Sequence, residues 1–135
     1  MVLPVTVDGV RLFLHVLAAA VWVGGQITLG ALVPALRRAG ADVPRAAAQA
    51  FGRIGWTAFG VLIVTGIWNI AAVNDSNDPG YQTTLGIKLG FVALAGVSAY
   101  WHSKSKSRVA LAVGGAGAAL FSLAALFLGV VLAEH

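Results

Sequence analysis

Four long apolar runs separated by three short polar breaks leave this chain very few folds. The breaks are RRAGAD at Arg37 to Asp42, NDSNDPGYQ at Asn74 to Gln82 and SKSKSR at Ser103 to Arg108. A helix that crosses a bilayer needs about 20 mostly apolar residues, and each run reaches that length. Lipid offers no partner to a backbone N–H or C=O, so such runs must be helical. Composition agrees, because 59% of the residues are apolar and 10% charged, whereas soluble domains carry about 25% charge. The chain is therefore expected to be an all-α integral membrane protein whose solvent is the bilayer.

Local signals predict where the helices begin and end. Asp8 is the expected N-cap of a first helix over about Gly9 to Leu36, which Arg37, Arg38 and Gly40 close, cations suiting a helix C-terminus and glycine the position beyond it. Asp42 and Pro44 restart the chain into a second helix to about Val73, with Arg45 and Arg53 in its first turns. A third helix is expected over about Tyr81 to Ser103 and a fourth over about Val109 to Ala133. The first run continues well past the roughly 7–15 apolar residues of a signal-peptide core, so it is expected to be retained. Little is left for a domain outside the membrane, and residues 1–135 read as one domain.

The net charge of +4 is unevenly spread. Both the first and the third connections are basic, while the second carries two aspartates and no basic residue. By the positive-inside rule this implies a multi-pass protein of the inner membrane with both termini on the non-cytoplasmic side. Short connections imply an antiparallel up-down four-helix bundle. The basic residues thus signal topology, and no nucleic-acid surface is expected. Gly114, Gly115, Gly117, Ala118 and Ala119 make the fourth helix a surface for close helix approach, within one chain or between copies.

Polar residues inside such helices need a reason. Arg11, His15, Trp22 and Gln26 are spaced by four, seven and four residues, which on a 3.6-residue helix keeps them on one face with the small Ala18 and Ala19 between them. Ionisable groups within a span face a bundle interior, a cavity or a ligand. Counted inward from the expected outer ends, His15, Lys88 and Asn69 come to similar depth on three helices. Trp22 lies mid-membrane and reads as core packing, Asn69 as an interhelical hydrogen-bonding group, and Trp56, Trp68, Tyr81 and Trp101 as packing or interface residues. His102, about 21 Å along the axis from Lys88, reads as a boundary residue, and His135 ends the sequence, so a bis-histidine site within one chain is not expected. The absence of Cys and of any Met but the first removes disulfides, zinc-thiolate sites and the soft ligands that Cu(I) prefers. No nucleophile–base pair, phosphate loop or metalloprotease spacing is present.

Several segments carry a family resemblance. HVLAAAVWVGG (His15 to Gly25), LVPALRRAG (Leu32 to Gly40), FGRIGWTAFGVLIVTGIWN (Phe51 to Asn69) and YQTTLGIKLGFVALAG (Tyr81 to Gly96) occur in the order seen in the copper-resistance protein D (CopD) membrane domain, and the chain resembles that family over most of its length. His15 in the first helix and Lys88 in the third are also similar to the HemJ-type protoporphyrinogen oxidases, small haem-associated membrane proteins. CopD proteins are usually longer and are associated with moving copper across the inner membrane, so the resemblance implies either copper or haem handling.

The leading expectation is a b-type haem, or a related tetrapyrrole, in the outer half of the bundle. His15 would be its axial ligand and a neutral Lys88 the second metal ligand. Ala18, Ala19 and Trp22, with Gly86 and Phe91 near Lys88, would line the cleft, and Arg11 would reach a propionate. A redox partner or quinone would exchange electrons with it. The alternatives are a copper transport or resistance module in which His15, Asn69 and Lys88 mark a polar pathway, and a non-catalytic membrane scaffold. Whether there is enzymatic activity stays open at this level.

Overall fold

The computed structural model describes residues 2–72 and 77–134, and all regular structure among them is helical. The polar loop expected at Asn74 to Gln82 falls partly outside those residues, as does His135. Helix α1 (Val7–Ala19) passes through a π-helical turn (Ala20–Gly24) into α2 (Gly25–Ala39), and α3 (Val43–Ala72), α4 (Pro79–Lys104) and α5 (Arg108–Glu134) follow. The combined first span has 33 residues, and α3, α4 and α5 have 30, 26 and 27. At about 1.5 Å per residue each outreaches the roughly 30 Å hydrocarbon layer. The described residues thus contain four helical spans long and apolar enough to cross a membrane.

Two end signals act differently from expectation. Thr6, not Asp8, caps α1, its hydroxyl accepting from the Gly9 N–H at 3.0 Å. Asp8 lies inside the first turn and turns instead to Arg11. The third span begins at Pro79, two residues before the expected Tyr81, because Asp78 accepts from the Tyr81 N–H at 3.2 Å and proline suits the first helical position. The first span is not one continuous α-helix either, since the turn holding Trp22 is π-helical.

Contacts divide the chain into two compact units, Met1–Val73 and Asn74–His135. In the first, His15 meets Thr65, Trp22 meets Trp56 and Phe59, and the Phe51 ring lies against Gly25. In the second, Lys88 lies over Gly129, Phe91 stacks with Phe121, Ser98 faces Gly117 and His102 abuts Gly114. In both, later residues of one helix meet earlier residues of the other, so each unit is an antiparallel hairpin.

The distribution of bulk is the reverse of a soluble domain. Small residues sit at the contacts, with Ala18, Ala58, Ala95, Ala118 and Ala125 all buried. Large ones face out, including Phe13 at 63%, Val64 at 65% and Phe127 at 67% exposure. Soluble proteins rarely show apolar surface on that scale, so the outward faces suit a lipid environment.

Glycine sets the spacing of the second hairpin. A Cβ on Gly114 would come within 3.1 Å of the His102 Cα and 3.0 Å of its Cβ, and one on Gly115 would meet the His102 ring at 3.1 Å. One on Gly117 would press on the Ser98 hydroxyl at 3.3 Å. These three glycines, expected as a face for helix approach within or between chains, are thus used inside the α4–α5 hairpin. Gly114→Ala forces backbone apart and should destabilise the protein by about 1–3 kcal/mol. Gly90→Ala, with nothing within 4 Å of its new Cβ, should instead be neutral or stabilising by up to about 1 kcal/mol. Reversible unfolding of both variants in mixed micelles checks the contrast.

Candidate functional site

The hairpin of α1 and α3 encloses the imidazole that the sequence singles out. His15 Nδ1 lies 2.7 Å from the Thr65 hydroxyl, which lies 2.7 Å from the Val61 carbonyl and 3.3 Å from that of Leu62. Thr65 is 3% exposed. A carbonyl has no proton to give, and a hydroxyl has one. Only one assignment puts a proton into both short contacts: Thr65 donates back to Val61, and His15 Nδ1–H donates to Thr65. In the neutral ring the remaining lone pair is then on Nε2. The back-bond to the carbonyl four residues earlier aims the Thr65 oxygen at α1, so α3 sets both the orientation and the tautomer of His15.

Small residues occupy the next turn of α1 and the facing position on α3. Ala18 is 5% exposed, Ala19 is half-buried, and a Cβ on Gly66 would lie 3.9 Å from His15 Cε1. Toward the hairpin turn the packing becomes aromatic. Trp22, 4% exposed, tilts against Phe59 at 4.7 Å and Trp56 at 5.4 Å between ring centroids. Trp22, expected both as core and as an aromatic wall, is part of a packed interhelical cluster. The π turn loosens the carbonyl ladder here, and Gln26 Nε2 donates to the Trp22 carbonyl at 2.9 Å. Gln26 is thus a local backbone partner that completes the stripe without joining His15.

Toward the open end of the hairpin, Arg11 and Asn69 stand one turn beyond His15 and Thr65. Arg11 Nη1 pairs with Asp8 Oδ1 at 2.9 Å, with the Arg11 side chain 11% and the Asp8 side chain 75% exposed. The guanidinium expected to reach a propionate is already held by a carboxylate on its own helix. Arg11 Nε and Asn69 Oδ1 are both buried without a hydrogen-bond partner. Asn69 Oδ1 thus makes none of the interhelical bonds expected of it.

The residues expected around Lys88 divide between two faces of α4. Lys88 is half-buried and runs across α5, its Nζ 3.1 Å from where a Gly129 Cβ would stand. Gly86 is exposed with nothing near its missing side chain, and Phe91 stacks on Phe121 at 6.0 Å. Phe91, three residues on from Lys88, faces α5 as Lys88 does, whereas Gly86, two residues back, points to a different face. His102 is more than a boundary residue: its Nδ1–H donates to the Leu111 carbonyl at 2.6 Å and ties the start of α5 to the end of α4. Among the described residues, no three His, Cys, Asp or Glu side chains gather as a metal site.

Thr65 and Gly66 are the residues that sequence reasoning passed over. Both lie in the T-G-x-x-N segment that ends the second span, and Thr65 stands one helical turn from Asn69, the residue that drew attention.

Thr65→Val keeps the shape but removes the acceptor of the His15 Nδ1–H, and should cost about 1–3 kcal/mol of stability, while Thr65→Ser should restore most of it. Imidazole 15N chemical shifts in the wild type should show protonated Nδ1. The chain matches no protein-family model, no curated protein and no solved structure, so the reading of this site stands on its geometry.

Proposed function

We propose that this is a CopD-like multi-pass protein of the cytoplasmic membrane that holds a b-type haem, or a related tetrapyrrole, through His15 Nε2. The observation that carries the reading is the short His15–Thr65 bond. Histidines that ligate metals donate their other ring N–H to a fixed acceptor, which sets the tautomer and raises the basicity of the ligating nitrogen. Thr65 Oγ1 at 2.7 Å is such an acceptor.

The donor set favours a tetrapyrrole over a bare metal ion. A protein copper site draws most of its ligands from side chains, and among the described residues no three His, Cys, Asp or Glu gather to offer them. A porphyrin brings its own ring nitrogens and asks for one or two axial ligands. Ala18, Ala19 and Gly66 supply the low relief that a flat macrocycle needs beside His15. When bound, the haem supplies one-electron chemistry whose potential follows from axial ligand and burial. His15 ligates, Thr65 holds the ring, and the Trp22–Trp56–Phe59 cluster keeps water from the side nearer the hairpin turn. Arg11, anchored by Asp8, keeps a cation one turn outward of His15.

The same proposal includes the arrangement of the whole chain: an up-down four-helix bundle, basic connections in the cytoplasm and both termini on the opposite side. A quinone or redox protein is its proposed electron partner.

Protein purified from haem-supplied cells should show a Soret band and a reduced-minus-oxidised difference spectrum. His15→Ala should abolish both. Thr65→Val should leave the ligand in place but weaken haem retention by about 10–100-fold and shift the reduction potential. A colourless protein, or a Soret band untouched by His15→Ala, overturns the reading. Copper found without haem, together with copper uptake that depends on His15, would establish the copper alternative instead.

A further inference from the structure

One polar feature is left over by that function. Arg11 Nε, a donor, and Asn69 Oδ1, an acceptor, are both buried and unpartnered, on facing helices of the same hairpin. Their register follows from the bond beside them. His15 faces Thr65, and Arg11 and Asn69 each lie four residues, one turn, toward the open end on antiparallel helices. The two groups are therefore brought to the same level and the same interface, yet they do not bond each other.

We propose that Arg11 Nε and Asn69 Oδ1 form a binding site for one hydroxyl group, that of an ordered water, one turn outside the His15–Thr65 bond. A donor and an acceptor left unpartnered call for a single ligand that can accept and donate at once. Water does so with one molecule: its oxygen accepts from the Arg11 Nε–H and one of its protons goes to Asn69 Oδ1. A carboxylate would satisfy Arg11 and repel the amide oxygen, and an ammonium would do the reverse. Buried waters characteristically bridge such otherwise unsatisfied groups and need at least two polar partners.

Asp8 stands on the outward side of this site. Its carboxylate is 75% exposed and holds the other end of the same guanidinium at 2.9 Å, so the bound water lies behind an ion pair whose acidic member meets the surface. The resulting order from the open end inward is Asp8, Arg11, water, Asn69, then Thr65 with His15. The site stands on the two unpartnered atoms and holds whether or not His15 carries a cofactor.

The experiment is water-selective magnetisation transfer on 15N-labelled protein in phosphatidylcholine nanodiscs, read at the Arg11 Nε–H without added haem. A cross-peak from a long-lived water is expected in the wild type. It should disappear in Asn69→Leu, which removes the acceptor. The wild-type measurement decides the matter by itself should that variant fail to fold. No water cross-peak at Arg11 Nε–H overturns the proposal, as does one that persists in Asn69→Leu or one that arises from lipid in place of water. Failure of the haem reading would appear separately, as a missing Soret band.

Discussion

A bilayer supplies no hydrogen bonds, so every polar group within a span must find its partner in the protein or be left at a cost. That constraint organises the α1–α3 hairpin. Thr65 can serve His15 because it discharges its own proton to the Val61 carbonyl, and the pair forms a closed polar unit inside an apolar interface. Gln26 does the same for the carbonyl of the π turn. His102 does so for Leu111 where α4 passes into α5. Each of these three side chains is tied to a backbone group, directly or through one hydroxyl.

The second constraint is distance. Lipid tails are as apolar as the side chains, so helix association here rests on close packing and not on withdrawal from water. Small residues at the contacts make that packing possible. Gly114 brings the backbone of α5 to that of α4 at His102, Gly25 makes room for the Phe51 ring, and Gly129 makes room for Lys88. On α3, Gly66 faces the imidazole, and a Cβ there would make only an ordinary 3.9 Å contact with His15 Cε1.

Much of the architecture was legible because its causes are local. Apolar run length and the three breaks predict four spans with ends within a few residues of those observed, and Arg37, Arg38 and Gly40 end the first as expected. The misplaced ends have local causes too: Thr6 and Asp8 are both good caps, and their competition is settled by Arg11, which draws Asp8 away. The π turn at Ala20–Gly24 left no mark in AVWVG that periodicity could detect. Phe91, Gly86 and Lys88 look like neighbours in a line of text, yet only Phe91 and Lys88 both face α5, while Gly86 is exposed with nothing near it.

The sequence by itself determined that the chain is helical, that its helices are long and apolar enough for a membrane, and that His15 is the residue most in need of explanation. Those properties depend on composition and on spacing along one helix. Only the tertiary structure decided that Thr65 is the partner of His15, that Arg11 answers to Asp8, and that Arg11 and Asn69 share one level with an unpaired atom each. The reason is physical: a partner fifty residues away is chosen by the register of two packed helices, and register is set by glycine contacts and ring packing that no single helix contains.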